Sequence, residues 1–169
     1  MGESTGKSAL QQITELFVRH GVEFIVIGGQ AEALFGSPRV TFDIDFCYRR
    51  TAENLEKLAV VLRELQPSLR GAPPDLPFRV DARSLALGSN FSFTTILGDL
   101  DLLGWVEPIG DYEALAVRAE RYMLGSVPVL TISLDDLIHI KEHIRRPKDR
   151  DSLYQLQAIK RLRNEKSSG

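Results

Sequence analysis

FIVIGGQAEALFGSPRVTFDIDF, residues 24–46, is the stretch around which the rest of the chain is organised. Its first four residues form an apolar run with β-branched side chains, which predicts a buried strand. The run stops at Gly28-Gly29, and a short helical segment over 30–35 ends at Gly36. After a turn at Ser37-Pro38, residues 41–46 alternate between polar and apolar side chains, as a second strand would. The pattern therefore predicts a strand–helix–strand unit.

The second strand carries two carboxylates, Asp43 and Asp45. Side chains two residues apart in a strand project from the same face, so these two would lie side by side. Phe42, Ile44 and Phe46 would then face the core. Adjacent carboxylates repel each other and are costly to desolvate, and a shared divalent cation with oxygen ligands relieves both costs. The pair therefore predicts a metal site.

The composition is that of an ordinary globular protein of 169 residues, with 43% hydrophobic and 26% charged residues. The sequence contains no apolar run of the roughly 20 residues that cross a bilayer, and its N-terminus has no signal-peptide core. We therefore expect a cytoplasmic protein with no membrane partner. The single cysteine, Cys47, excludes an intramolecular disulfide and a cysteine-based zinc site, and a buried, unreactive thiol is expected.

Charge is distributed unevenly along the chain. Residues 141–169 contain nine Lys or Arg and four Asp or Glu, a net charge of +5, so the remaining residues carry −7 of the total of −2. The basic segment would either draw a polyanion towards the metal site or form a solvated helix surface.

Two further strands are predicted at 91–96 and 100–103, joined by a turn at Gly98-Asp99. Asp101 interrupts the second, otherwise apolar strand. A lone acid there would be an edge residue or a turn cap, whereas the upstream pair of aspartates favours its completing the metal site. Residues 66–77 are rich in proline and form a loop that either borders the site or simply crosses the surface. His139 and His143 have zinc-like spacing but lack a third ligand, so we expect ordinary surface histidines.

The remaining elements are helices and one hairpin. A hairpin at 122–131 turns at Gly125-Ser126, and a helix beginning at Ser133 is broken by Pro147. The other helices are predicted at 8–20, from a Thr51 cap to Pro67, at 111–119 and at 148–163. We predict an α+β (α/β-like) fold with a mixed β-sheet and flanking helices. Residues 1–132 would form the core, and residues 133–169 a helical extension packed on it, in one compact domain.

These parts support phosphate chemistry. A strand that ends in Gly-Gly at a helix start presents unpaired backbone N–H groups to a phosphate chain. Two carboxylates on the neighbouring strand would hold Mg²⁺ against those phosphates. A third acid would bind a second ion and lower the pKa of an attacking hydroxyl, as in two-metal phosphoryl transfer.

Gly28-Gly29, followed by Arg39-x-Thr41-x-Asp43-x-Asp45, resembles the signature of the polymerase-β-type nucleotidyltransferase superfamily. Within it the likeness is closest to small bacterial proteins of the abortive-infection and toxin–antitoxin group. The likeness covers about residues 8–160 and includes three later segments: Gly98 to Leu103, Ser133 to Lys141 and Arg146 to Asp151. One difference is that many members have Gly-Ser in place of Gly28-Gly29.

The resemblance implies a site that binds a nucleoside triphosphate and two Mg²⁺ ions. Asp43 and Asp45 would ligate both ions, and Asp101 would ligate the catalytic ion and activate the acceptor hydroxyl. It also implies that Gly28 and Gly29 contact the phosphates and that Lys141, in preference to Lys148, holds the triphosphate. Lys148 and Asp149 would support the site, and Thr41 would lie at the nucleotide. Arg39 would either bind the nucleotide or brace the loop through a carboxylate pair.

The leading hypothesis is a Mg²⁺-dependent nucleotidyltransferase that moves a nucleoside monophosphate from an NTP such as ATP to an acceptor hydroxyl and releases pyrophosphate. The acceptor would be RNA (tRNA ends, for example), a protein side chain or a small molecule, and an antitoxin-like protein would be a partner. The first alternative is a non-catalytic module of the same fold that binds a nucleotide or a partner. A metal-dependent phosphate-ester hydrolase is the second.

Overall fold

The computed structural model describes residues 6–38, 41–73, 75–76 and 78–167. In these residues seven strands form a single sheet: β1 Phe24–Ile27, β2 Ile44–Tyr48, β3 Ser68–Leu69, β4 Phe91–Thr95, β5 Gly98–Leu103, β6 Glu120–Leu124 and β7 Val127–Thr131. The helices are α1 Ala9–Arg19, α2 Gly28–Leu34, α3 Ala52–Glu64, α4 Ala82–Leu87, α5 Tyr112–Ala116, α6 Leu134–Ile144 and α7 Arg150–Ser167, with a 3₁₀ turn at Pro147–Asp149.

The sheet is mixed, and its strand order is β3-β4-β5-β2-β1-β7-β6. β2 runs antiparallel to β1 and parallel to β5, and β1 runs parallel to β7. The outer pairs, β4 with β5 and β6 with β7, are antiparallel hairpins. The α+β fold with a mixed sheet and flanking helices that the sequence predicts is therefore confirmed.

The two strands of the opening stretch lie in the interior of the sheet, since β5 and β7 flank them. All four residues of β1 are buried. Phe17 of α1 packs edge-on against Phe24 of β1 and Phe46 of β2, with ring centroids 5.3 and 5.2 Å away. This aromatic cluster fixes α1 against the two strands that carry the candidate site.

Helix starts follow the predicted capping chemistry. The Thr51 hydroxyl accepts a hydrogen bond from the backbone N–H of Asn54, and the Ser133 hydroxyl accepts one from Asp136. Each bond satisfies a donor that the first turn of a helix leaves unpaired. The hairpin around Gly125 is also confirmed, since β6 and β7 pair from Glu120↔Thr131 to Leu124↔Val127.

The prediction that Phe42 faces the core is wrong. The strand begins at Ile44, not at residue 41, and the Phe42 side chain is 88% exposed. The Thr41 hydroxyl accepts a hydrogen bond from the Asp43 backbone N–H at 3.2 Å. Such a local side-chain bond stabilises a turn in competition with the strand ladder, so the chain joins the sheet only after Asp43.

Several boundaries also differ from the predictions. Helix α2 begins at Gly28 itself, α5 is confined to Tyr112–Ala116, and the last helix begins at Arg150 after the 3₁₀ turn. The proline-rich loop contains the short edge strand β3, which pairs with β4. Cys47 is buried, and burial, with the nearby carboxylates of Asp111 and Glu113, raises its pKa to about 12. None of the described helices has the length and apolar character required to cross a bilayer.

Candidate active site

Asp45 and Asp101 face each other at the centre of the sheet. They are direct partners in the parallel pairing of β2 with β5, which places both side chains on the same face. Burial raises the pKa of Asp45 to about 7, and Asp101 adds to this through a shared hydrogen bond and charge repulsion. Repulsion from Asp43 contributes further, while Arg70 opposes the rise. Two carboxylates held this close favour either a shared proton or a bound cation.

Asp43 stands beside this pair but not in it. Its side chain is exposed, because Asp43 precedes β2. Among the residues that the structure describes, no three His, Cys, Asp or Glu side chains are grouped so that they could hold a metal ion. The structure thus brings together two of the three predicted metal ligands and leaves the third on the flank.

The pair nevertheless suits a hard divalent cation. Asp101 Oδ1 is buried and has no aligned hydrogen bond from any described residue. Mg²⁺ is commonly held by one or two carboxylates, with waters and substrate phosphates completing its shell. Asp45 and Asp101 therefore fit a magnesium site of that kind. Asp43 is close enough for its negative charge to act on Asp45.

Arg70 is a site residue to which the sequence pointed only indirectly. Its Nη1 lies 3.1 Å from Asp101 Oδ1, and its Nε lies 3.5 Å from Asp99 Oδ2. Its Nη2 donates a hydrogen bond of 2.9 Å to the carbonyl oxygen of Phe93. Arg70 lies in the proline-rich segment 66–77, for which the sequence allows either a border of the site or a surface connection. The structure supports a border of the site over a plain surface connection.

Gly28 is required for the approach of β1 and α2 to Asp45. Its φ of +68° lies in the left-handed region, and a Cβ at this position would collide with the Asp45 carboxylate. A side chain at residue 28 is therefore excluded twice, by the backbone conformation and by the neighbouring carboxylate.

Gly29 is required for a different reason. A Cβ at residue 29 would lie 2.7 Å from Thr41 Cγ2 and 3.0 Å from Thr41 Oγ1. A serine at residue 29 would therefore meet Thr41. Thr41 is itself held in place, because its carbonyl oxygen accepts a hydrogen bond from Gln30 Nε2 at 3.2 Å. Packing against Thr41 is therefore a reason for glycine at residue 29.

Lys141 is buried in a cluster of charged side chains. Its Nζ lies 2.9 Å from Asp149 Oδ1 and 3.4 Å from Glu32 Oε2, and Arg146 Nε lies 2.6 Å from Asp149 Oδ2. Burial alone would raise the pKa of Asp149, but the hydrogen bonds and charges of Lys141 and Arg146 outweigh it and lower that pKa. The predicted triphosphate-binding ammonium therefore already has two carboxylate partners.

Two clefts meet at Lys141. One has a volume of about 420 Å³ and includes Gly28, Asp45, Asn90, Trp105, Leu137 and Ile140 in its lining. The other has a volume of about 450 Å³ and includes Arg145, Arg150 and Tyr154. Lys141 and Arg146 line both. The first cleft reaches Asp45, and Asp101 lines an adjoining hollow that shares Asp45 and Asn90 with it. The second cleft is basic, which suits a phosphate chain.

The other predicted residues lie as follows. Lys148 is exposed on the 3₁₀ turn and is not among the residues that line these two clefts. Arg39 lies outside the described residues. His139 and His143 are exposed on α6, as expected of surface histidines. Trp105 was not singled out from the sequence; it is half exposed, and its Nε1 donates a hydrogen bond to Glu107 Oε1 at 3.0 Å.

No protein-family model and no curated protein sequence matches the chain. Solved structures do match it. The lincomycin-bound lincosamide antibiotic adenylyltransferase LnuA superposes with a TM-score of 0.62 at 16% identity, over 89% of this chain and 96% of LnuA. The antibiotic-resistance factor ANT(2″)-Ia gives a TM-score of 0.58 at 15% identity, over 95% and 90% of the two chains.

A candidate nucleotidyltransferase from Thermotoga maritima gives a TM-score of 0.55 at 15% identity, over 88% of this chain and 90% of its own. Because each match covers nearly all of both chains, the similarity extends to the whole fold and is not limited to a shared fragment. From its mixed seven-stranded sheet and these structural neighbours, the chain has the nucleotidyltransferase fold.

Proposed function

We propose that this protein transfers a nucleoside monophosphate from an NTP to an acceptor hydroxyl and releases pyrophosphate. The observation that carries the proposal is the pair Asp45 and Asp101, of which Asp45 lines a cleft bordered by Gly28 and Lys141 and both line the adjoining hollow. Paired carboxylates beside a basic cleft are the arrangement that metal-assisted phosphoryl transfer needs.

Asp45 and Asp101, flanked by Asp43, would hold the divalent cations, with two Mg²⁺ ions as the proposed complement. When bound, the cations would neutralise charge on the phosphate oxygens and on the carboxylates. The buried Asp101 Oδ1, which accepts no aligned hydrogen bond from the described residues, supports this assignment. Asp43 is proposed as the flanking ligand although it precedes the strand.

The chain's own residues would then move one proton. Asp101 accepts the proton of the acceptor hydroxyl, and the oxygen that loses it attacks the α-phosphorus. The bond between the α-phosphorus and the bridging oxygen of pyrophosphate breaks, and pyrophosphate leaves with that electron pair. The products are the nucleotidylated acceptor and pyrophosphate, and the proton on Asp101 passes to solvent.

The triphosphate would lie between the Gly28-Gly29 turn and the basic cleft. Lys141 and Arg146 are proposed to face the departing pyrophosphate, because they line both clefts. Thr41 would support Gly29 by packing, and Arg39 and Lys148 are proposed as outer contacts to the nucleotide.

The acceptor is proposed to be a hydroxyl of RNA (a tRNA end, for example), of a protein or of a small molecule, and pairing with an antitoxin-like protein belongs to the same proposal. LnuA is described as a lincosamide adenylyltransferase and ANT(2″)-Ia as an antibiotic-resistance factor. A small hydroxyl-bearing molecule is therefore the first acceptor class to test.

A non-catalytic nucleotide- or partner-binding module is the second candidate. It is favoured by the ion pair between Arg70 and Asp101, which gives one carboxylate a cationic partner without any metal. Such a module would bind NTP without releasing pyrophosphate.

Transfer assays distinguish the two candidates. The protein is incubated with α-labelled NTPs, Mg²⁺ and, separately, cellular RNA, protein extract and hydroxyl-bearing antibiotics. We expect label transfer and pyrophosphate release to fall by about 10²-fold or more in Asp45→Asn and Asp101→Asn, because each loses a metal ligand. Glu56→Gln, exposed on α3, is the matched control. If no acceptor is labelled, or if Asp45→Asn labels as well as the wild type, the proposal is wrong.

A further inference from the structure

Arg70 contacts the carboxylate pair from outside the two central strands. It follows β3, which is only two residues long and lies at the edge of the sheet. Its side chain extends over β4 to reach Asp101 on β5, at 3.1 Å. It therefore brings a positive charge from a peripheral loop to the centre of the candidate site.

The charge balance at the centre explains why this contact matters. Asp45 and Asp101 face each other, Asp43 and Asp99 are close to them in the chain, and Arg70 is the cation that contacts Asp99 and Asp101. The Arg70 and Asp101 side chains are 35% and 28% exposed, so water screens their attraction only in part. A divalent cation and Arg70 would stabilise the same negative charge.

The segment that carries Arg70 joins the sheet at its edge, through a strand of two residues. Gly71, directly after Arg70, has a φ of +81°, and the loop that follows lines a surface hollow. Arg70 binds β4 through its backbone N–H, which donates to the Ser92 carbonyl oxygen at 2.9 Å, and through its side-chain bond to the Phe93 carbonyl oxygen. Short edge strands with few partners open at low free-energy cost, so this side chain can withdraw while the central strands stay fixed.

We propose that Arg70 is a built-in counter-cation of Asp45 and Asp101, which neutralises Asp101 when no divalent ion is bound and competes with that ion for the pair. This inference rests on the proposed function, because it concerns the same metal site. It adds a positioning residue that sets how tightly the ion binds. Arg70 offsets part of the negative charge of Asp45 and Asp101 in the ion-free protein and lowers the affinity of the pair for a divalent ion.

Removing the charge of Arg70 tests the competition directly. Mn²⁺ binding is measured by electron paramagnetic resonance of free Mn²⁺, without nucleotide or acceptor. Arg70→Met should bind Mn²⁺ about tenfold more tightly than the wild type, because a positive charge beside Asp101 is gone. Arg70→Lys keeps the charge and should stay within about threefold of the wild type. Arg83→Met, an exposed arginine on α4, is the matched control and should bind as the wild type does.

A second measurement uses the wild type, so it decides the question even if Arg70→Met folds poorly. Mg²⁺ is titrated into isotopically labelled protein, and the side-chain Nε–H signals of arginine are followed by NMR. The Arg70 signal should shift and exchange faster with water as Mg²⁺ binds, while that of Arg83 should not change. An Arg70 signal unchanged at saturating Mg²⁺, or Mn²⁺ affinity unchanged or weakened in a folded Arg70→Met, would overturn the inference.

These outcomes are separable from those of the transfer assay. A protein whose Mn²⁺ affinity rises in Arg70→Met, but which labels no acceptor, would refute nucleotidyl transfer and leave the counter-cation role standing. If the protein transfers nucleotide but Arg70→Met binds Mn²⁺ with wild-type affinity, the counter-cation role is refuted and nucleotidyl transfer stands.

Discussion

Replacing Asp45 with asparagine should change how the stability of the metal-free protein depends on pH. Burial, and then the hydrogen bond with and repulsion from Asp101, raise the pKa of Asp45 from 3.8 to about 7. In the unfolded chain the same carboxyl ionises near its ordinary pKa. Between about pH 4 and pH 7 the folded protein therefore retains a proton that the unfolded chain has lost.

The sign of the effect follows from this proton. Because the folded state binds more protons within the window, raising the pH destabilises it, and the loss is complete above the folded pKa of about 7. The interval from 3.8 to about 7 corresponds to an upper bound on the order of 4 kcal/mol, at about 1.36 kcal/mol per pKa unit. Asparagine does not ionise and can donate a hydrogen bond to Asp101, so the variant avoids this loss.

Urea unfolding in the presence of a chelator, at several pH values from about 4 to about 8.5, measures the effect. The free energy of unfolding of Asp45→Asn, relative to the wild type, should rise with pH and level off above about pH 7. Glu56→Gln, exposed on α3, should follow the wild type throughout. If the difference between Asp45→Asn and the wild type does not vary with pH, Asp45 has an ordinary pKa and the electrostatic account of the site is wrong.

Three further variants test the packing around the site, each by urea unfolding. Gly29→Ser should destabilise the protein by about 1–3 kcal/mol, because its Cβ meets Thr41. Adding Thr41→Ala should recover part of that loss. If the free-energy changes of the two substitutions simply add, the contact is contradicted. Lys141→Met should lower the free energy of unfolding by about 3–5 kcal/mol, since Glu32 and Asp149 would be left buried without their shared cation. A loss below about 1 kcal/mol would show that the cluster is solvated. Phe17→Ala should cost about 3–5 kcal/mol by opening a cavity between Phe24 and Phe46, whereas the exposed Phe42→Ala should cost little.

Much of the fold could be predicted from the sequence because its signals are local. The apolar run Phe24–Ile27 reads as a buried strand on its own, and Thr51 and Ser133 cap their helices through bonds to residues three positions ahead. The boundary of β2 was mispredicted because alternation at 41–46 competes with the hydrogen bond between Thr41 and Asp43, which periodicity does not register.

The candidate site could be predicted only in its composition. Asp43, Asp45 and Asp101 stood out because carboxylates are rare in apolar strands. Arg70 did not, because its partners Asp99 and Asp101 lie about thirty positions away and across an intervening strand. Lys141 was assigned to phosphate from its motif, while its contacts with Glu32 and Asp149 follow from how α2, α6 and the 3₁₀ turn pack.

The sequence by itself determined the strand–helix–strand unit, the paired glycines and the presence of three acidic residues, since spacing and residue type suffice for these. Only the tertiary structure decided which acids meet, because the register of β2 against β5 places Asp45 opposite Asp101 and leaves Asp43 ahead of the strand. It also decided that a side chain at residue 29 would meet Thr41 and that Arg70 lies against Asp101. Register, close packing and charge pairing depend on segments distant in the chain, and they set the electrostatics of the site.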